Sequence, residues 1–393
     1  MSTVPPRAVL SLLFGGAFVM GSAEMLVVGL LDLISADLGV SVPAAGALVS
    51  ANAIGLALGG PLLAFATTRF DRRSVLLGAI IAFLAATVPQ VLGAGFEAFL
   101  VLRVLGGAAQ GLFIAAAMTI ATSVVPSERG GRAMAVVISG FASASALGLP
   151  LGTLLGQVAG WRGAYTVVLG AGVVLLVLAP LMVPRVPSVD AAGGGAFGQL
   201  RHALSPRVLT VLLIGLLLFA ASQSTVTYLV PFLGEVTGIA GAPVGAFLLA
   251  YGVATTVGSA VGGRFADQDA GRMLVLCALG VAAALLLLGL LGASPIAAFA
   301  AVLGIGLFLM GAAPALQHRV DALSGPGGPL AASLPSSAVN IGIALGSAVG
   351  GWTIDLAGIR SLTVAGIVLA LIAAGVAAVA RVRVGARVGR IGG

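Results

Sequence analysis

Apolar stretches of bilayer-spanning length follow one another along nearly the whole chain, and this pattern leaves few folds open. The chain has 393 residues, 60% hydrophobic and 8% charged, with a mean hydropathy of +1.19. A soluble protein keeps roughly a quarter of its residues charged. This chain cannot cover a globule with polar surface, so lipid must be its solvent. Its 59 glycines agree, because small residues let membrane helices approach closely.

Apolar runs of about 20 residues mark helical spans. Twelve can be laid down: 8–31, 44–68, 74–94, 98–125, 133–158 and 164–183, then 208–234, 243–266, 273–293, 295–316, 330–355 and 362–380. Gly21-Ser22-Ala23 has the small residues of a signal cleavage site. The apolar run nevertheless continues past Glu24 to Leu31, so the first span is expected to stay uncleaved. Between the sixth and seventh spans lies a stretch rich in Gly, Pro and charge, 184–207, which reads as a linker. The expected architecture is an all-α integral membrane protein of two six-helix bundles, 1–183 and 208–393, the second ending in a short basic tail.

Every basic residue is Arg, and the net charge is +7. With both termini and the linker placed in the cytoplasm, one membrane face carries Arg7, Arg69, Arg72, Arg73, Arg129, Arg132, Arg185, Arg201, Arg207, Arg264, Arg272, Arg319, Arg381, Arg383, Arg387 and Arg390. Only Arg162 and Arg360 then lie outside, and Arg103 falls within a span. This bias sets orientation. The scatter of the bases over short loops also argues against a nucleic-acid partner.

The halves are similar to each other. VAGWRGAYTVV before the sixth span resembles LAGIRSLTVAG before the twelfth, and Arg162 and Arg360 differ by 198. TRFDRR follows the second span and DQDAGR the eighth; Thr68 and Asp267 differ by 199. Two landmarks with nearly one offset indicate a duplicated six-span unit. Parallel repeats with a binding site between them, near mid-membrane, are a transporter architecture.

Four stretches carry a family resemblance. They are GSAEMLVVGLLDLISADLGVS (21–41), RVLGGAAQG (103–111), ALGLPLGTLLGQVAGWR (146–162) and GGRFAD (262–267). In these the chain resembles the major facilitator superfamily, and within it the bacterial twelve-span drug:proton antiporters, including chloramphenicol and arabinose efflux permeases. The resemblance spans nearly the whole chain. It implies a proton-coupled exporter in the bacterial inner membrane, working as a monomer by alternating access. It departs from the family pattern in the first loop, where Thr68 stands for the usual acid, Asp71 for a Gly and Ala64 for the leading Gly. The acid after the first span, Asp32, is shifted by one.

Glu24 lies amid the first apolar run. A carboxylate there resists ionisation, and intramembrane acids mark proton or substrate paths. Its bland alternative is a protonated group bonding a neighbouring helix. Asp32 lies eight residues on, about 80° around a continuous helix, and would share the same wall unless it is a solvated loop acid. Arg103 stays charged and needs acceptors; it would tune the acid or simply tie helices together. These three are the proton-coupling candidates.

Asn52, Gln110, Phe113, Gln223, Thr227, Tyr228 and Asn340 are the candidate substrate contacts, with Thr225 completing a polar stripe on the seventh span; interhelical packing is the alternative for each. Arg69, Asp71, Arg72, Arg73, Asp267 and Arg272 form the loop motifs, and Gly148, Pro150 and Gly152 the fifth-span motif. Pro150 is expected to kink its helix. Gly148, Gly152 and Gly156 make a smooth stripe, either for plain helix packing or as a sliding seam between halves.

No cofactor or metal is expected: His202 and His318 lack ligand spacing, no P-loop pattern occurs, and no nucleophile–base arrangement marks an enzyme. Cys277 is alone. The expected partners are protons, lipid and a small amphipathic substrate, such as the antibiotic chloramphenicol. A sugar, nucleoside or other metabolite is the alternative cargo, and a non-transporting membrane sensor the alternative class.

Overall fold

The computed structural model describes residues 4–187, 205–324 and 334–391, without the side chains of Asp267 and of residues 382–391. Among these residues, eleven helices are long and apolar enough to cross a membrane. The first four are α1 (Pro6–Gly29), α2 (Val42–Ala66), α3 (Arg72–Val91) and α4 (Phe96–Ser123). The next, Ser127–Met182, runs for 56 residues, but Gly160 stands at φ 73, ψ 165, outside helical space. It therefore comprises two spans, α5 (127–159) and α6 (161–182). Then come α7 (Pro206–Val226), α8 (Ala242–Ala266), α9 (Gln268–Leu291), α10 (Pro295–Leu323), α11 (Leu334–Ala357) and α12 (Ile359–Arg381). At about 1.5 Å per residue, the 24 residues of α1 reach about 36 Å, enough for a hydrocarbon core of about 30 Å.

Local sequence sets the ends and irregularities of these helices. Ser41 caps α2, its hydroxyl accepting from the Ala44 amide at 3.2 Å. Pro61 and Pro150 each follow a turn widened to π geometry, Gly55–Gly59 and Ala144–Gly148. A proline ring crowds the carbonyl four residues earlier, and the wider turn makes room. The distortion expected at Pro150 thus takes the form of a π turn.

The chain forms two compact units, Met1–Ala192 with Gly241–Gly252, and Gly193–Ala240 with Val253–Gly393. The backbone repeats between them. Leu30 breaks the helix at φ −124, ψ 18 and Tyr228 at φ −108, ψ 18. Gly160 has its counterpart in Gly358, at φ 77, ψ 171. Both pairs are 198 residues apart, the offset of Arg162 and Arg360.

Packing repeats as well. With no hydrophobic drive between helices in lipid, close approach of small residues does the work. In the first unit a Cβ on Gly140 or Gly148 would strike Phe14 and Ser22 of α1; in the second, one on Gly342 or Gly350 would strike Leu216 and Ser224 of α7. Gly152 and Gly156 likewise face Leu26 and Leu30. The glycine stripe is therefore packed on α1 of its own unit, as its reading as plain helix packing expects. Large apolar side chains such as Leu62, Val158, Leu290 and Ile296 are left exposed, as lipid contact requires.

Candidate functional site

Glu24 lies one turn before the end of α1 and is half-buried. Arg103 reaches it from α4, and is buried. A guanidinium offers five donors in a fixed fork and stays charged, so burial demands acceptors around it. Its Nε donates to the Leu48 carbonyl at 3.2 Å and its Nη1 to the Ala23 carbonyl at 3.1 Å. Nη1 also reaches the Tyr165 hydroxyl at 3.5 Å, and Nη2 the Glu24 carbonyl at 3.4 Å. Tyr165 donates to the same Ala23 carbonyl at 3.1 Å. One side chain thus joins α1, α2 and α6 to α4. Among the described residues the Glu24 carboxylate accepts none of these bonds, so the cation stands beside the acid while bonded to its backbone.

One turn nearer the N-terminus of α1, the Asn52 Nδ2 donates to the Gln110 Oε1 at 3.0 Å, and the Gln110 Nε2 donates to the Met20 carbonyl at 2.7 Å. Both side chains are buried. Considered above as substrate contacts, they engage each other and α1. Phe113 is buried with its ring against Gly16 of α1, where a Cβ would overlap it. All three sit in the joint between α1, α2 and α4.

Asp32 is placed differently from the expectation. The helix breaks at Leu30, and Asp32 lies exposed on a separate short helix, Leu31–Leu38. The 80° relation to Glu24 assumed an unbroken helix and does not hold. The sequence reading missed Asp37, on that same short helix. Its Oδ2 accepts from the Trp161 Nε1 at 3.1 Å and pairs with Arg162, whose guanidinium stands 4.4 Å from the Trp161 ring centroid. Trp161 stacks on Phe99 at 5.5 Å and meets Tyr165 edge-on at 6.0 Å. The adjacent Trp161-Arg162 pair was the signal: a fork and an indole N–H side by side call for one carboxylate.

In the second unit the end of α7 is polar all round rather than along one stripe. Gln223 and Thr227 share a face, four residues apart, whereas Thr225 lies about 200° from Gln223. Among the described residues, the Ser222 Oγ, Gln223 Oε1, Thr225 Oγ1 and Thr227 Oγ1 are buried without hydrogen-bond partners. Ser222, not singled out from sequence, stands 198 residues after Glu24 and so at its place in the repeat. Tyr228 donates to the Ser347 carbonyl at 2.8 Å, and Asn340 to Ser336 of its own helix at 2.9 Å.

The loop motifs fasten helix ends. Asp71 caps α3 by accepting from the Ser74 amide at 3.0 Å. Its carboxyl lies below the usual carboxylate range, chiefly through its hydrogen bonds to Ser74, with Arg185 adding to the effect. The Arg72 amide donates to the Val186 carbonyl at 2.9 Å, and Arg73 donates to the Pro180 carbonyl. Arg69 is exposed. In the second unit it is Asp269 that accepts from the Arg272 amide at 2.8 Å and pairs with Arg381 at 3.0 Å. The Asp267 side chain, and Arg201 and His202, lie outside the described residues. Among the described residues no group of three or more His, Cys, Asp or Glu could hold a metal ion.

Residues 13–328 match the Major Facilitator Superfamily. Among curated relatives, a chloramphenicol resistance protein of Streptomyces lividans is 34% identical over 85% of this chain and 86% of its own. The MFS-type transporter YtbD of Bacillus subtilis is 31% identical over 87% of each. Among solved structures, a bacterial homologue of the human lysosomal transporter Spinster, inward-facing and occupied, superposes with a TM-score of 0.81 at 17% identity, covering 97% of this chain and 98% of that one. A family match over most of the chain, two relatives above 30% identity and a shared fold lead to one conclusion: this chain is a multi-pass membrane transporter that belongs to the major facilitator superfamily.

Proposed function

We propose that the chain is a proton-coupled efflux antiporter that exports a small amphipathic compound of the chloramphenicol type. The observation that carries this reading is Glu24: an acid within a span, beside a buried cation whose hydrogen bonds are engaged by backbone. Such a carboxylate is left free to gain and lose a proton, while Arg103 makes the surroundings sensitive to whether it has done so. The likeness to a chloramphenicol resistance protein supports the choice of cargo. The buried, unpartnered polar atoms at the end of α7 suit a neutral substrate with both donors and acceptors, because each would otherwise remain unsatisfied at a cost of about 1–3 kcal/mol.

Export follows if proton and substrate favour opposite facings of the transporter, since a ligand shifts an equilibrium only by its differential affinity for the two states. A gradient of one pH unit supplies about 1.4 kcal/mol per proton, enough for roughly tenfold accumulation at one-for-one exchange. The test is uptake of radiolabelled chloramphenicol into inverted membrane vesicles, with the pH gradient present or collapsed. Gradient-dependent uptake above that of vesicles lacking the protein is expected. Uptake indifferent to the gradient overturns proton coupling, and absence of uptake overturns the cargo.

A further inference from the structure

We infer that Tyr165 is a positioning residue for the proton site, holding the Arg103 guanidinium on the Ala23 carbonyl and off the Glu24 carboxylate. The inference rests on the proposed role of Glu24 and adds what sets that acid's surroundings. Three groups close a triangle. Arg103 Nη1 donates to the Ala23 carbonyl at 3.1 Å and to the Tyr165 hydroxyl at 3.5 Å, and that hydroxyl donates to the Ala23 carbonyl at 3.1 Å. The hydroxyl accepts from the cation and donates to the carbonyl at once, so it fixes both.

The tyrosine ring is itself held. It meets Trp161 edge-on at 6.0 Å and Phe99 at 6.3 Å, and Trp161 is anchored through its Nε1 to Asp37. Tyr165 is buried, so its hydroxyl has no water to turn to. Its position is therefore dictated from the Asp37 side and delivered to Arg103. The sequence motif GWRGAY supplies the spacing: Trp161 and Tyr165, four residues apart, share one face of α6.

Without the hydroxyl, Nη1 keeps only one of its partners, and the nearest anion is the Glu24 carboxylate. A direct Arg103–Glu24 ion pair would hold the proton off the acid. The other ionisable groups near this end of α1, Asp32 and Asp37, stand on the short helix Leu31–Leu38 beyond the break at Leu30. Among the described residues, α2 carries no ionisable group. The remaining charges of α4, α5 and α6 stand at helix ends: Glu97, Glu128, Arg129, Arg132 and Arg162.

The test reads Glu24 itself and needs no substrate. The purified full chain in lipid nanodiscs is titrated while the infrared C=O band of protonated carboxyl is followed; Glu24→Gln identifies the Glu24 component by removing it. Tyr165→Phe keeps the ring and loses only the hydroxyl. Its band is expected to titrate at least about half a pH unit lower than wild type, a threefold fall in proton affinity. Arg103→Lys, which keeps the charge but loses the fork, is expected to move the same way. Fluorotyrosine at position 165 alters only the strength of the hydroxyl's bonds, and its midpoint must move too; it decides the matter if Tyr165→Phe does not accumulate. An unmoved midpoint in Tyr165→Phe or the fluorotyrosine protein overturns the positioning role while leaving the proton role of Glu24 intact. No titrating band that Glu24→Gln removes overturns both.

Discussion

Asp71 and Asp269 occupy the same place in the two halves, 198 residues apart, each closing the loop before a membrane helix with its carboxylate on a backbone amide three residues on. The sequence around them gives little hint of this: TRFDRR and DQDAGR share almost nothing but the aspartate and an arginine. The equivalence is one of helix capping. A carboxylate accepting from the first turn satisfies an amide that the helix cannot.

Removing either cap is expected to cost about 1 kcal/mol, with Asp71→Asn and Asp269→Asn costing less than the alanine variants because an amide oxygen still accepts. The Asp71 carboxyl, in the loop before α3, lies below its ordinary value of 3.8. A depressed folded value adds stability that is fully present above the unfolded value and lost as pH falls through the folded one. The window therefore lies below pH 3.8. Thermal unfolding of the purified protein should show the wild type losing stability in that window. The Asp71→Ala variant, already lacking that contribution at neutral pH, should lose less. Parallel pH curves would sink the assignment.

The crossing of α2 and α4 should tolerate no added bulk. A Cβ on Gly107 would meet the Asn52 carbonyl, and one on Gly55 would meet the Val104 carbonyl. Backbone cannot swing aside as a side-chain tip can, so Gly107→Val forces the helices apart. It is expected to lose at least about 1–3 kcal/mol, and with it the Asn52–Gln110 bond. Gly78 of α3 faces open space, and Gly78→Ala is expected to be neutral or slightly stabilising. Detergent-resistant yield and melting temperature of the two variants give the comparison; equal values would contradict the crossing.

The arginine asymmetry predicts one location for the C-terminus and the linker. Reporter fusions after residue 393 and within 184–207 should both report cytoplasm. An external signal from either would reverse the orientation drawn from the charges.

The fold was legible because its grammar is coarse. Runs of apolar residues give spans, and lipid leaves no other way to satisfy backbone within them. The offset of Arg162 and Arg360 gave the duplication, and the breaks at Leu30 and Tyr228 carry the same number. The site was less legible, since its geometry depends on where helices stop. Asp32 was placed by helical phase, but the helix had already ended. Arg103 stands out as the lone base within a span, but three of its partners are carbonyls, which every residue has, and the fourth is a tyrosine hydroxyl on another helix. The role of Asp37 follows from an indole and a guanidinium 124 and 125 residues away. Only the fold brings such groups together. The same holds for the glycine stripe, whose spacing was plain and whose partner, α1, was not.

The last expectation concerns Glu24. It sits on a span where a permanent charge is costly and a titratable one is usable. Glu24→Gln keeps the side chain's size and hydrogen-bonding capacity but cannot ionise. The Arg103 bonds go to the carbonyls of Ala23, Glu24 and Leu48, which the substitution leaves in place, so the variant should fold and accumulate as wild type. Chloramphenicol uptake into inverted vesicles should then become the same with the pH gradient present or collapsed, a loss of the whole gradient-dependent part. Glu24→Asp keeps an acid on a shorter stem and should retain a fraction of it. Substrate binding, measured by quenching of Trp161 fluorescence in a Trp352→Phe background, should survive in Glu24→Gln. Loss of binding together with coupling would mean that the residue holds cargo instead. Undiminished gradient-driven uptake would move the proton site off α1 altogether, with exposed Asp32 the next acid along the chain.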